Sequence, residues 1–283
     1  MERRTLGKTG ERLSIIGFGG IVASGMAQAE ADAIVAEAVD RGVNYFDVAP
    51  TYGDAEERLG PALQPYREGV FLACKTTRRD ADGAREELER SLLRLRTDHF
   101  DLYQLHGVTG MDEVERILGP GGALETFAAA RDQGQVRFLG FSAHSEEAAV
   151  ALMDAFAFDS VLFPFNAVIW HQGDFGARVM ARAQGKGMGR LALKAMARTR
   201  WAEGALRPYP KCWYEPTSSP EEAELSLRWT LSQPVTAALP PGEAPLFRLA
   251  LGIAERYRPL SAEEDARARA WAAGLEPIFG QEA

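Results

Sequence analysis

The chain has 283 residues, of which 46% are hydrophobic and 25% are charged, so neither a disordered nor a fibrous protein is expected. Its length permits one large domain or two smaller ones. The formal net charge of −8 argues against a nucleic acid or an anionic membrane as the binding partner.

The N-terminal stretch does not have the pattern of a targeting segment. Basic side chains occur in MERRTLGKTGERLS, but no apolar run follows them as it does in a signal peptide. No apolar run reaches the roughly 18 residues that a membrane span needs. The two cysteines, Cys74 and Cys212, lack the spacing of metal ligands and are too few for a disulfide framework. We therefore expect a cytoplasmic location, no membrane partner and no metal.

The predicted elements begin with a β-hairpin, because GKTG is a turn sequence between the extended segments RTL and RLS. Short apolar runs then alternate with amphipathic stretches. The apolar runs span residues 14–19, 43–48, 70–74, 100–105, 136–141, 160–165, 190–195 and 235–240. The helical stretches span residues 29–40, 55–64, 80–95, 122–133, 145–156, 173–186, 220–232, 244–256 and 261–274.

This alternation predicts an α/β fold. Apolar runs of about four to eight residues separated by helical stretches are typical of parallel strands with crossover helices. Eight such units in a chain of this length favour a (β/α)8 TIM barrel over an open doubly wound sheet. We expect a single domain over residues 1–283, with the N-terminal β-hairpin before the barrel and an extra C-terminal helix after it.

Four ionisable side chains lie where the predicted strands end. Asp47 follows the second apolar run with Tyr52 in the next loop, Lys75 follows the third run, and His106 follows the fourth. Active sites of such barrels lie at these strand ends. Tyrosine has a reference pKa of about 10, so proton transfer near neutrality needs about three pKa units of help, or roughly 4 kcal/mol. We expect Lys75 to lower the pKa of Tyr52, while Asp47 keeps Lys75 charged.

Each of these residues also has an ordinary structural interpretation. Asp47 alone is typical of a helix cap or turn, and Lys75 alone of an edge lysine. Their occurrence together with Tyr52 and His106 at successive strand ends favours a catalytic set. A Schiff-base enzyme with Lys75 as the nucleophile is an alternative, but a nearby Asp47 that keeps the amine cationic argues against it.

Three segments, GVNYFDVAPTYGDAEERLG, FLACKT and DLYQLHGV, resemble the signature segments of the aldo-keto reductase superfamily. The segments GFSAH and ALKAM are most similar to a bacterial branch of reductase-like proteins. The resemblance implies an NAD(P)H-dependent oxidoreductase that reversibly reduces an aldehyde or ketone, a small-molecule carbonyl substrate, to the alcohol. It implies that Tyr52 is the general acid and that His106 orients the carbonyl. Lys75 and Asp47 would tune Tyr52.

The resemblance also implies a set of cofactor contacts. They are Gly19, Gly20, Ser142, Asn166, Lys194, Gly242 and Arg248. Lys194 stands where many relatives stack an aromatic ring on the nicotinamide, so it would instead reach a phosphate or the substrate. Arg248 matches the arginine that binds the adenosine 2′-phosphate, which favours NADP(H) over NAD(H), although Glu243 would oppose that dianion.

Two departures from the family pattern suggest an alternative function. Leu162 stands where many relatives have a carboxamide-binding glutamine, and Ala143 where many have asparagine. A catalytically slow redox sensor or regulatory subunit on the same fold would account for such a weakened cofactor contact. The intact set of four catalytic residues favours the enzyme.

The longest irregular segment, residues 196–219, follows the seventh predicted strand and is rich in Trp, Tyr, Arg and Pro. A segment of this length in a compact barrel is usually functional or mobile. Its aromatic residues Trp201, Tyr209, Trp213 and Tyr214 have two interpretations. They line a substrate pocket, or they pack the segment onto the barrel.

Overall fold

The N-terminal residues form the predicted hairpin. The computed structural model describes residues 1–280, and in it strand β1 (Arg3–Thr5) pairs antiparallel with β2 (Arg12–Ser14). The Arg4 guanidinium on β1 donates hydrogen bonds to the carbonyls of Leu231 and Val235, at 2.8 and 3.0 Å. Val235 precedes the last barrel strand, so the hairpin covers the end of the barrel where the strands begin.

Eight parallel strands form the barrel, and a two-stranded hairpin is inserted before the last of them. The barrel strands are β3 (Phe18–Gly19), β4 (Tyr45–Asp47), β5 (Phe71–Thr76), β6 (Phe100–Val108), β7 (Val136–Ala143), β8 (Ser160–Pro164), β9 (Gly189–Leu193) and β12 (Ala237–Ala238), and the inserted hairpin is β10 (Ala197–Arg200) with β11 (Tyr214–Pro216). Each barrel strand pairs with the next barrel strand along the chain. A parallel bridge between Ile16 and Ala238 closes the sheet on itself, so the predicted (β/α)8 barrel is confirmed.

The helices lie outside the barrel. They are α1 (Gln28–Asp40), α2 (Ala55–Leu63), α3 (Ala81–Leu95), α4 (Met111–Leu118), α5 (Ala123–Asp132), α6 (Glu146–Ala155), α7 (Ala167–Gln172), α8 (Ala177–Lys186), α9 (Pro220–Ser232), α10 (Ala244–Glu255) and α11 (Ala262–Ala272), with two 3-10 helices at Gly20–Ala23 and Gln64–Gly69. The extra C-terminal helix α11 begins with a capping box, in which Ser261 and Glu264 satisfy each other's backbone N–H groups.

Strand alternation sorts the side chains into two layers. On β4, Phe46 packs in the layer between sheet and helices, while Tyr45 points into the barrel interior with Phe71. On β5, Cys74 belongs to the outer layer and its neighbour Ala73 to the interior. Because successive side chains point to opposite faces, the residue after Cys74 also faces the interior.

The structure differs from the predictions mainly in short elements. Helices α4 and α7 have eight and six residues, too few for a clear apolar period, and they were not predicted. The segment 196–219 contains the hairpin of β10 and β11, whose pairing is irregular between Ala197 and Thr199. Within residues 1–280, every helix falls short of the length or the apolar character needed to cross a bilayer.

Candidate active site

A cavity of about 270 Å³ opens at the C-terminal ends of the barrel strands. All four predicted catalytic residues contribute to its lining. They are Asp47, Tyr52, Lys75 and His106. The loop after β9 and the segment after β12 complete the wall, so residues distant in the sequence meet at this end of the barrel.

Asp47 and Lys75 form a buried ion pair in this cavity. Asp47 ends β4 and pairs with Ala73 on β5, two residues before Lys75, so both side chains point into the barrel. The Lys75 amine donates to Asp47 Oδ1. Burial lowers the pKa of Lys75, but the charge of Asp47, the nearby Tyr52 and the hydrogen bond to Asp47 together hold that pKa above its usual value. Lys75 is therefore a cation at neutral pH.

Two further donors fix the Asp47 carboxylate. Its second oxygen, Oδ2, accepts hydrogen bonds from Gln104 Nε2 at 3.0 Å and from the Tyr45 hydroxyl at 3.1 Å. Oδ1 thus accepts a hydrogen bond from Lys75, while Oδ2 accepts hydrogen bonds from two neutral donors. The carboxylate is held in one orientation from three sides.

The Tyr52 hydroxyl lies 3.5 Å from the Lys75 amine. The loop carrying Tyr52 turns directly after it at Gly53, which has a φ of +62° that other residues adopt only with strain. Burial raises the pKa of Tyr52, and the charge of Lys75 offsets only part of that rise. The predicted net lowering of this pKa is therefore wrong, because burial outweighs the cation. The phenol keeps its proton at neutral pH.

A bulge near the end of β6 places His106. The pairing of β6 with β7 shifts register between Leu105 and Val108, and Gly107 in between has a φ of +62°. The His106 ring stands edge-on to the Tyr52 ring, with 5.7 Å between centroids. Burial, together with the charge of Lys75, lowers the pKa of His106 to about 3. The imidazole is therefore neutral at physiological pH.

Gly19, Ser142 and Gly242, three of the predicted cofactor contacts, line the cavity. Ser142 is buried, and its hydroxyl oxygen accepts a hydrogen bond from the Gly107 N–H at 2.7 Å. At Gly242 a Cβ would lie 2.2 Å from the Ile21 side chain, so only glycine fits there. The cavity wall thus consists partly of bare backbone.

Gly20 and Arg248 lie outside the lining. A Cβ on Gly20 would approach the Val48 side chain within 2.8 Å, so this glycine permits close packing between the first loop and the core. Arg248 lies on α10, half exposed, where its Nε donates to Glu37 on α1 at 2.8 Å. The guanidinium is thus paired with a carboxylate.

Asn166 and Lys194 are linked to each other. Asn166 is buried at the start of α7, where its oxygen accepts from the Ile169 N–H at 2.9 Å. Its amide nitrogen donates to the Lys194 carbonyl at 2.7 Å, so its polar atoms face away from the cavity. Lys194 lines the cavity directly after β9, and its amine lies 5.2 and 4.9 Å from the ring centroids of Trp213 and Tyr214.

The four aromatic residues of the 196–219 segment divide between the two interpretations. Trp213 and Tyr214 line the cavity. Trp201 donates its indole N–H to the Cys212 carbonyl at 2.9 Å. Tyr209 packs against a small apolar cluster that includes Cys212. Two of the rings therefore shape the cavity and two hold the segment in place.

Comparison with known proteins identifies the family. The model of the Aldo/keto reductase family matches residues 15–239. The chain belongs to this family. The aldo-keto reductase AKR11C1 from Bacillus halodurans, in its holo form, shares the fold with a TM-score of 0.76 at 24% identity over 100% of this chain and 98% of that one.

Curated relatives include two proteins from Bacillus subtilis (strain 168). The chain is 34% identical to "Uncharacterized oxidoreductase YqkF" over 156 residues, which are 50% of this chain and 49% of that protein. It is also 34% identical to "Aldo-keto reductase YhdN" over 166 residues, 52% of this chain and 48% of that protein. The matched stretch thus spans about half the length of these relatives.

Tyr45 and Gln104, which donate to the Asp47 carboxylate in this aldo-keto reductase site, are not singled out by the sequence analysis. Gln104 pairs with Lys75 across β5 and β6, and it lies two residues before His106, on the same face. An uncharged polar residue within the apolar run FDLYQL is the signal that points to it. Within residues 1–280, no group of three or more His, Cys, Asp or Glu side chains is arranged to hold a metal ion.

Proposed function

We propose that this chain reversibly reduces an aldehyde or ketone to the alcohol with NAD(P)H. A hydride and a proton add across the C=O bond, and the products are the alcohol and NAD(P)+. Membership of the aldo/keto reductase family supports the reaction class. The observation that carries the proposal is the Lys75 amine, which lies 3.5 Å from the Tyr52 hydroxyl and is ion-paired with buried Asp47.

In this proposal Tyr52 is the general acid. Its raised pKa keeps the phenol protonated at neutral pH, and the protonated form is the one that donates to a developing alkoxide. Once the proton has left, the Lys75 cation stabilises the phenolate. Asp47 keeps that cation charged and in place. The reduction direction therefore uses the resting protonation state of all three groups.

His106 orients the carbonyl. With a pKa of about 3, its imidazole is neutral across the physiological range and carries one N–H that can donate to the carbonyl oxygen. A neutral ring does not compete with Tyr52 as the proton source. Its edge-on contact with the Tyr52 ring keeps the two groups together.

The residues present fit a nicotinamide cofactor at its reactive end, which supplies the hydride when bound. The cavity continues from Tyr52 past Gly19 to the backbone around Gly242, where only glycine fits, and Ser142 contributes a buried hydroxyl. Gly20 and Asn166 remain proposed cofactor contacts that lie outside the cavity lining. Arg248 is the residue that favours NADP(H), and a cytoplasmic location agrees with that choice of reductant.

The decisive variant is Tyr52→Phe, which removes only the hydroxyl. We expect reduction of small aldehydes to fall by about 10²- to 10⁴-fold, the usual contribution of a general acid, with NADPH affinity unchanged. Tyr66→Phe removes a phenol outside the cavity and serves as the matched control. Substantial turnover by Tyr52→Phe contradicts the assignment. A parent protein that binds NADPH in fluorescence titrations but oxidises it with no aldehyde would instead be the slow redox sensor.

A further inference from the structure

Lys194 has an unusual backbone conformation for a lysine. It follows β9 with a φ of +63°, in the left-handed region that is unfavourable for residues with a side chain. The buried amide of Asn166 holds this turn by donating to the Lys194 carbonyl at 2.7 Å. A strained residue kept in place by a buried partner is often part of a functional site. Here the strain directs a cation into the catalytic cavity.

No carboxylate within residues 1–280 neutralises the Lys194 amine. Its neighbours are the faces of Trp213 and Tyr214, at distances typical of cation–π contacts. Asp47 is the one acidic residue in the cavity lining, and it is already paired with Lys75. The cavity therefore carries an uncompensated positive charge.

Two other lysines contribute to the lining. Lys211 donates to the Val22 carbonyl at 2.9 Å, and Lys75 donates to Asp47. Burial lowers the pKa of Lys194 to about 8, so most molecules carry the ammonium at neutral pH. An anion that entered the cavity would find in Lys194 a cationic donor that no carboxylate occupies.

We propose that Lys194 binds the anionic group of the substrate, so that this chain preferentially reduces aldehydes that carry a carboxylate. This inference rests on the proposed carbonyl reduction. Leu162, Leu193 and the ring of Trp213 supply apolar surface for the body of such a substrate. The carboxylate accepts a charge-assisted hydrogen bond from Lys194, and Tyr52 donates to the carbonyl oxygen at the other end.

The location of Lys194 favours a substrate carboxylate over a cofactor phosphate. Its charge lowers the pKa of both His106 and His144, so it acts at the catalytic part of the cavity. A ribose separates the cofactor's diphosphate from its reacting ring. The amine also contacts the rings of Trp213 and Tyr214 in the 196–219 segment.

The test compares charged aldehydes with neutral partners in the parent protein and in Lys194→Met. The pairs are 4-formylbenzoate with 4-formylbenzamide, and 4-oxobutanoate with butanal, which place the carboxylate at two distances from the aldehyde. We expect kcat/KM of Lys194→Met to fall roughly 10- to 100-fold for a carboxylate, mainly through KM, because a charge-assisted hydrogen bond is lost. The neutral partners and the Kd of NADPH should stay within about threefold.

Two variants control the interpretation. Lys186→Met removes a surface lysine distant from the cavity and should change neither substrate class. Lys194→Arg keeps the charge and should recover part of the carboxylate preference. Equal losses for charged and neutral aldehydes would overturn the proposal, and so would a parent without carboxylate preference. A loss confined to NADPH affinity would assign Lys194 to the cofactor and overturn it as well.

Calorimetric titration of 4-formylbenzoate into the protein separates this inference from the proposed function. Binding that Lys194→Met abolishes, in a parent that reduces none of the four aldehydes, would refute the reductase but support the anion site. Turnover without any difference in carboxylate binding between parent and Lys194→Met would support the reductase and refute the anion site.

Discussion

Substituting Asp47 by asparagine should destabilise the fold by removing half of a buried ion pair. Lys75 bonds to Oδ1, whereas Gln104 and Tyr45 share Oδ2. An asparagine oxygen can therefore keep the two neutral donors while its amide nitrogen faces the Lys75 amine. The change thus isolates the charge pair. Removing one charge of such a buried pair leaves the other charge without its partner, which costs about 3 to 5 kcal/mol. This is a large part of a typical free energy of unfolding of about 5 to 15 kcal/mol.

The double variant Asp47→Asn/Lys75→Met measures how strongly the two charges are coupled. Lys75→Met alone leaves a carboxylate without its cation, and should cost a similar amount. If the two effects were independent, their sum would be roughly 6 to 10 kcal/mol. Because the double variant removes both charges together, we expect it to be more stable than either single variant, although inactive.

Urea denaturation, monitored by tryptophan fluorescence, measures the free energies of unfolding of the parent, the two single variants and the double variant. Equal m-values among the four proteins would show that these free energies can be compared. Asp154→Asn is a suitable control, because it breaks the ion pair with Arg182 on the surface, where both side chains are about half exposed. Its cost should not exceed about 1 kcal/mol. A double variant that costs as much as the sum of the single variants would refute the coupling of Asp47 to Lys75.

Other substitutions and conditions test separate features. Because the pKa of His106 is about 3, kcat/KM should show no acid limb near pH 6.5, and a limb there would mean that the ring titrates normally. The same depressed pKa means that the unfolded chain takes up a proton first, so stability should fall as pH drops below about 6.5. Arg248→Ala should raise the Kd of NADPH more than that of NADH in fluorescence titrations, whereas equal effects would exclude a 2′-phosphate contact. Ser261→Ala removes the N-cap of α11 and should lower the free energy of unfolding, measured in urea, by about 1 kcal/mol. An unchanged free energy of unfolding would show that the capping box does not stabilise the protein.

Local patterns in the sequence were sufficient to predict the barrel and to place four candidate catalytic residues at one end of it. The alternation of apolar runs and amphipathic stretches depends on neighbouring residues, and it placed most strands and helices within a few residues of their bounds. Asp47, Lys75 and His106 could be found because a charged or ionisable residue at the end of an apolar run is conspicuous. Parallel strands then bring such residues to one end of the barrel without further information.

The energetics of the site depended on contacts between distant parts of the chain. Gln104 lies 57 positions from Asp47, and its hydrogen bond to that carboxylate follows from sheet pairing, not from any local pattern. The direction of the Tyr52 pKa shift was predicted wrongly, because burial by the surrounding residues outweighs the charge of one lysine. The cost of burying a charge depends on the three-dimensional environment, which linear order does not specify.

The environment of Lys194 also depends on contacts that the sequence does not specify. Its place at the end of β9 is visible in the sequence, but its left-handed backbone and the aromatic rings around its amine are not. Folding brings Asn166 and the 196–219 segment against it from two directions. Chain chemistry therefore specified which groups are available, while packing determined their distances, and with them the protonation state and the charge that each group presents to a substrate.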